Sequence, residues 1–178
     1  MNIIDTTIPD VKILEPQVFG DERGFFLESY NHRAFEGAIG QSVHFVQDNH
    51  SRSRKGVLRG LHGRLGDGES KLVRVSAGAV LDVVVDARPT SPTFGRHIAV
   101  VLDDQEFAAL WIPAGCLHGF QVLRGPADVQ YRIDRPHDPS EDVAVRYNDP
   151  DLGIAWRPGE VVMSDRDRAA GSWAQLVA

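Results

Sequence analysis

One cysteine, two methionines and an aromatic content of only 8% mark what this 178-residue chain has little of. The lone Cys116 excludes any intrachain disulfide and fits a reducing compartment. No apolar run approaches the ~20 residues needed to span a bilayer as a helix. The start, MNIIDTTIPDVKILEP, lacks a basic segment followed by an apolar one, so it does not read as a signal peptide, and a cytoplasmic location is expected. Positive charge is also short: the formal net charge of -6 argues against a general nucleic-acid or membrane-surface binder, which needs a basic face. What remains is ordinary, at 42% hydrophobic and 25% charged residues. That composition and length fit one soluble domain, residues 1–178, with a sizeable core.

The regular structure expected is mainly short strands: GFFLESY (24–30), KLVRVSAG (71–78), AVLDVVVDAR (79–88), RHIAVVLD (96–103), ALWIPAG (109–115), HGFQVL (118–123) and ADVQYRID (127–134). Gly, Pro, Asp and Ser turn signals cut them apart. LVRV and VQYRI alternate apolar with polar residues, as strands with one wet face do, whereas VLDVVVDA reads as a strand buried on both faces. Helical candidates are few: NHRAFEGAIG (31–40) and the tail from Ser164. Closely spaced strands without intervening helices predict an all-β fold, an antiparallel barrel or jelly roll, rather than βαβ units. The Pro/Gly/Asp-rich stretch 149–159 reads as a long surface loop.

Cations are scarce overall but concentrated locally. RSRKGVLRGLHGR (52–64) holds five of the 19 Lys and Arg residues and no acid, Lys71 and Arg74 follow, and Arg23 lies in the DERGFF turn. A solvated basic loop accounts for such a run by itself. The alternative is a pocket for a compact anion such as a diphosphate, which arginine binds with forked hydrogen bonds. Arg59 and His62, three residues apart, fall on opposite faces of a regular strand and share a cavity only if Gly60 allows a bulge or bend.

The other candidates each carry a plain structural alternative. His118 follows the Pro-x-Gly turn of WIPAGCLHGF and reads equally as a turn histidine or a ligand-facing one. Tyr131 shares a strand face with Val129 and Ile133, where core packing is the ordinary role. In SDRD, Ser164 followed three residues later by Asp167 resembles a helix-capping start, a sufficient structural reason for the acid.

Taken together, DERGFFLESY, FVQDNHSRSRKGVLRGLH, KLVRVSAGAVLDVVVDAR, SPTFG, LWIPAGCLHGFQVL, YNDPDLGIAW and SDRD resemble, in order and separation, the dTDP-4-dehydrorhamnose 3,5-epimerase family. The resemblance runs from about residue 9 to about residue 169. It implies a cupin-like jelly roll and a homodimer acting on a nucleotide-diphosphate sugar, with no cofactor and no metal. It also implies roles: His62 as catalytic base, Tyr131 as proton donor on the opposite side of the sugar, Asp167 as the acid bonded to the base, and Lys71 near the keto oxygen. Arg23, Glu28, Gln47, Asn49, Arg59 and His118 match substrate-contacting positions, with Arg23 and Arg59 the expected diphosphate partners.

The residue types suit that chemistry. A 4-keto sugar is acidic at C3 and C5 because the enolate spreads onto the ketone oxygen. Epimerisation needs a base on one face, a donor on the other and a cation for the enolate. Histidine, with an ordinary pKa of ~6.5, is matched to proton removal near neutrality. A carboxylate on its far nitrogen fixes the tautomer.

The chain departs from the family pattern in two places. Gly63 and Arg64 stand where Tyr-Gln usually follows the histidine, within a glycine-rich GRLGDGES stretch. Pro136 and His137 stand where many members carry a Tyr-Tyr pair whose second ring stacks on thymine. These departures leave the base, donor and acid intact and fall on nucleobase recognition, with His137 the nucleobase-side candidate. Two other readings stay open at this stage. A metal-dependent cupin enzyme shares the fold but needs a His-x-His and Glu cluster, and His62 is followed by Gly63 and Arg64 instead. A non-catalytic sugar-nucleotide binding module needs no acid–base set.

Overall fold

The computed structural model of the chain describes residues 1–64 and 68–178, so residues 65–67 of the glycine-rich stretch lie outside the described residues. The described strands are β1 (Asn2–Asp5), β2 (Lys12–Glu15), β3 (Val18–Asp21), β4 (Gly24–Leu27), β5 (Gln47–Ser53), β6 (Leu58–Arg64), β7 (Lys71–Asp86), β8 (His97–Asp103), β9 (Ala109–Ile112), β10 (Cys116–Ile133) and β11 (Asp142–Ala144). Helices α1 (His32–Ile39), α2 (Asp165–Arg168) and α3 (Trp173–Leu176) are short and peripheral. Every ladder between these strands is antiparallel. The architecture is the all-β antiparallel jelly roll expected from the strand pattern.

Its spine is the pair β7–β10, which runs from Lys71↔Ile133 to Cys116↔Asp86 with register shifts between Val122 and Val129. The main sheet is ordered β1-β2-β9-β7-β10-β6-β11, with β5 added on β10 and β8 on β7, while β3 and β4 form a separate hairpin. The apolar run of β7 is covered on both sides. Val73, Val75, Val80 and Val84 join Phe120 and Val129 in one cluster. Leu81, Val83 and Val85 join Leu117, Leu152 and Trp173 in another. Alternate residues serve opposite faces, as the pleat requires. A third cluster packs Phe35 of α1 against Leu72 and Trp111. Helix α1 falls where NHRAFEGAIG predicted one: the Asn31 side chain accepts from the Ala34 N–H at 3.1 Å, and Gly40 closes the end at φ 74°.

Some strands differ from expectation. The stretches 71–78 and 79–88 are halves of one strand, bent at Gly78 with φ 81°, and 118–123 and 127–134 are likewise halves of β10, divided by register shifts between Val122 and Val129. Turn-forming residues mark bends here rather than ends. The GFFLESY strand stops at Leu27. Strand β5, QDNHSRS, contains no apolar residue and is held by its ladder to β10 rather than by burial of its own. Residues 149–159 form the expected long loop, tied down where Asp149 accepts from the Trp173 N–H at 3.0 Å.

The bulge that Gly60 was required to supply is present. His62 pairs with His118 and Arg59 with Phe120, so three steps on β6 oppose two on β10. Residues 118 and 120 share a face, and Arg59 and His62 are thereby brought to the same side. Gly60 has φ 119°, and a Cβ there would lie 2.5 Å from the Gly119 Cα and 2.8 Å from the His118 carbonyl oxygen. Gly60→Ala is therefore expected to destabilise the fold by about 2 kcal/mol or more, read as a fall in denaturation midpoint. A midpoint equal to wild type would contradict this account of the bulge.

Candidate active site

Three strands lay out one face of the site. Register pairs Gln47 with Ile133, Asn49 with Tyr131, Tyr131 with Val73 and Ile133 with Lys71. Paired residues project to the same side, so Gln47, Asn49, Tyr131 and Lys71 share it. The Gln47 amide donates to Asn49 Oδ1 at 2.9 Å. Strand β6 follows β5 along the edge of β10 opposite β7 and contributes Arg59, whose Nε donates to Ser53 Oγ at 3.1 Å, and His62.

His62 Nε2 lies 2.5 Å from Asp167 Oδ1. The capping role foreseen for Ser164 also holds, since its hydroxyl accepts from the Asp167 N–H at 3.1 Å and starts α2. Capping and histidine contact are thus compatible: the backbone of Asp167 is used by the cap, and its buried carboxylate is free to face β6. With Nε2–H donating to the carboxylate, His62 presents Nδ1 as the unoccupied base. Burial holds the His62 pKa below the ordinary histidine value; the hydrogen bond and charge of Asp167 oppose that shift, and the charges of Lys71 and Arg166 reinforce it. The net result is a neutral imidazole near pH 7.

Tyr131 is shifted the other way. Burial raises its phenol above the usual value and Glu69 adds to the rise, against smaller lowering by Arg59 and Arg64. The tyrosine therefore carries its proton. It also packs against the main core cluster, so the ordinary packing role and a chemical one coincide. Its hydroxyl makes no hydrogen bond among the described residues.

His118 is neither loose nor a simple turn residue. Its Nε2 stands 2.9 Å from both carboxylate oxygens of Asp82, which is fully buried. Sequence reasoning passed over Asp82, although one acid inside the apolar run VLDVVVDA was the available signal. It also passed over Glu69, whose Oε1 lies 3.1 Å from Lys71 Nζ, and treated Arg64 only as a departure. Arg64 Nη2 in fact approaches Nδ1 of His137 at 2.9 Å, while Nη1 donates to the Pro136 carbonyl at 2.8 Å.

Two predicted residues are not joined to this cluster by any described hydrogen bond, ion pair or ring contact. Arg23 is exposed and held by Asp21, and Glu28 accepts from Asn31 at 3.2 Å. Both belong to or follow the β3–β4 hairpin. Among the described residues no three His, Cys, Asp or Glu side chains converge as metal ligands.

Residues 5–175 match the model of the dTDP-4-dehydrorhamnose 3,5-epimerase family. The chain belongs to that family. A protein of this description from Salmonella typhimurium is 49% identical over 172 residues, covering 96% of this chain and 94% of its own. The crystal structure of a dTDP-6-deoxy-D-glucose-3,5-epimerase from Legionella pneumophila, in complex with dTDP-4-keto-L-rhamnose, superposes with a TM-score of 0.92 at 47% identity, covering 95% of this chain and 90% of that one. The rmlC epimerase of Mycobacterium tuberculosis superposes at 0.95 with 35% identity, covering 99% and 90%. The protein is thus a carbohydrate epimerase with the cupin-like fold.

The geometry at His62 has a signed consequence. Asp167 is the group that favours the imidazolium, so Asp167→Asn should move the His62 titration further below ~6.5. Histidine ring-proton NMR against pH reads this directly. An upward move in the variant would contradict the arrangement described.

Proposed function

We propose that the chain inverts C3, C5 or both in a dTDP-linked 4-keto-6-deoxy sugar, a step in deoxysugar biosynthesis. The observation that carries the reading is the 2.5 Å contact of His62 on β6 with the buried Asp167 carboxylate of α2, beside a β10 strand that carries the half-buried Tyr131. His62 Nδ1 takes the proton from the carbon beside the ketone, and Asp167 stabilises the imidazolium that forms. The electron pair moves onto the C4 oxygen, where the Lys71 ammonium stabilises the enolate. Tyr131 returns a proton to the opposite face of the same carbon. The reaction is redox-neutral, so it draws on no cofactor.

Arg59 is the proposed diphosphate contact on β6, with Gln47, Asn49 and His118 lining the sugar and His137 on the nucleobase side. The whole chain, 1–178, acts in this reading as one catalytic domain in the cytoplasm, and no described helix is long and apolar enough to cross a membrane. A homodimer is part of the proposal. It is supported by the aromatic surface of the hairpin, where Phe25 is 60% and Phe26 68% exposed in the single chain. Arg23 and Glu28, separate from His62 within one chain, stand at that same hairpin and are the proposed contributions of a second copy.

Deuterium incorporation from D₂O into dTDP-4-keto-6-deoxyglucose, followed at C3 and C5 by NMR, tests the chemistry. His62→Ala should lower exchange by roughly 10²–10⁴-fold while dTDP binding persists, and Tyr131→Phe should retain exchange better than net inversion. Wild-type exchange in His62→Ala would overturn the assignment. Sedimentation velocity tests the assembly: wild type should run as a dimer and Phe25→Ser/Phe26→Ser as a monomer. A wild-type monomer at all concentrations sinks the dimer.

A further inference from the structure

Lys71 is assigned above to an enolate, yet it already has an anion. Glu69 Oε1 sits 3.1 Å from its ammonium, and both side chains are about nine-tenths buried. A carboxylate so placed and so dry cancels much of the field that an ammonium offers to a developing oxyanion. A second cation, however, stands at ion-pair distance from the other carboxylate oxygen, which accepts no hydrogen bond among the described residues. Arg64, its side chain 2% exposed, places Nη2 3.0 Å from Glu69 Oε2. The guanidinium is fixed from behind by the Pro136 carbonyl and His137 Nδ1, and its Nε stands 3.7 Å from Asp142 Oδ1. Asp142 is itself shared with Arg166 at 2.9 Å. The result is a triad in which one carboxylate stands between two cations, leaving the triad with a net positive charge.

We propose that Arg64 is a positioning residue whose charge holds the Glu69 carboxylate in a shared arrangement, so that Lys71 keeps enough uncompensated charge to stabilise the enolate. Glu69 in turn fixes where the lysine points. The inference rests on the reading of Lys71 given under Proposed function. It makes the size of the Lys71 effect depend on a residue that touches no substrate.

The chemistry separates this from a strut. Arg64→Gln removes the competing cation, returns both carboxylate oxygens to Lys71 and should lower kcat for C3 exchange by about 10-fold, a part of the roughly 10²–10³-fold that outright removal of an oxyanion-stabilising donor costs. Arg64→Gln/Glu69→Gln removes the carboxylate as well and should regain most of that loss. Arg64→Lys retains the charge without the fork and should keep kcat near wild type. Contacts to Pro136 and His137 are lost in the first two variants alike, so any change from those contacts appears in both and falls on KM. The experiment is kcat and KM for deuterium exchange into dTDP-4-keto-6-deoxyglucose for the wild type and all three variants, with thermal melting to verify folding. If Arg64→Gln alone does not fold, the other two carry the test, both being expected to approach wild-type kcat. A double variant or an Arg64→Lys variant that folds but loses kcat about 10-fold overturns the inference, as does wild-type kcat in a folded Arg64→Gln. Exchange absent from the wild-type protein would instead strike the assignment of Lys71 and the reaction itself, a different failure.

Discussion

Gly60 and Gly119 pass so closely that a Cβ on the first would lie 2.5 Å from the second, and one on Gly119 would lie 2.8 Å from the Arg59 carbonyl oxygen. This contact between β6 and β10 is the constraint from which the site follows. It permits the extra residue on β6, and the extra residue turns Arg59 and His62 to one side. Without it the strand would send one inward and the other out. The same strand β10 then carries Tyr131 eleven steps beyond Phe120, where its ladder with β5 and β7 fixes Asn49 and Lys71 around it. An antiparallel frame thus holds His62 and Tyr131 on paired strands without any loop having to order.

Within that frame, burial acts on two groups of opposite charge type. Desolvation disfavours the charged form of each, lowering an imidazole pKa and raising a phenol pKa. At His62 the buried carboxylate of Asp167 opposes this and at Tyr131 the carboxylate of Glu69 assists it, yet both net shifts keep the sign set by burial. Burial therefore leaves the imidazole unprotonated and the phenol protonated at the same pH, the pairing that the proposed two-face proton transfer needs.

The fold was legible because its signals are local and redundant. The run VLDVVVDA could be buried on both faces only in a sheet covered twice, and two core clusters do cover it. Asn31 and Gly40 delimit α1 through capping chemistry that acts within a few residues. Strands such as β5 were illegible because their cohesion comes from a partner more than seventy residues away, with no apolar periodicity to announce it. In the site, the residue types of His62, Tyr131, Asp167 and Lys71 were visible singly, but each had an ordinary explanation, and only the resemblance tied them together. The bulge at Gly60 was identified as a condition and not as a fact, since glycine permits the geometry without requiring it. Glu69 and Arg64 stayed hidden because an ion triad depends on which side chains turn inward, which the alternation of a strand beside a glycine-rich stretch does not fix.

The contact between His62 and Asp167 joins residues 105 positions apart, and it bears on the fold as well as on the proposed chemistry. Helix α2 has four residues, far too few to persist in water by backbone hydrogen bonding alone. It is held by the Ser164 cap at its start and by the Asp167 carboxylate against β6, while Arg166 reaches Asp142 on β11. The tail therefore docks through the very carboxylate that sets the histidine tautomer. Any displacement of α2 would release the Nε2 proton from its acceptor, and any rotation of the His62 ring would remove an anchor of α2. The orientation of His62, the proposed base, is thereby coupled to the docking of α2.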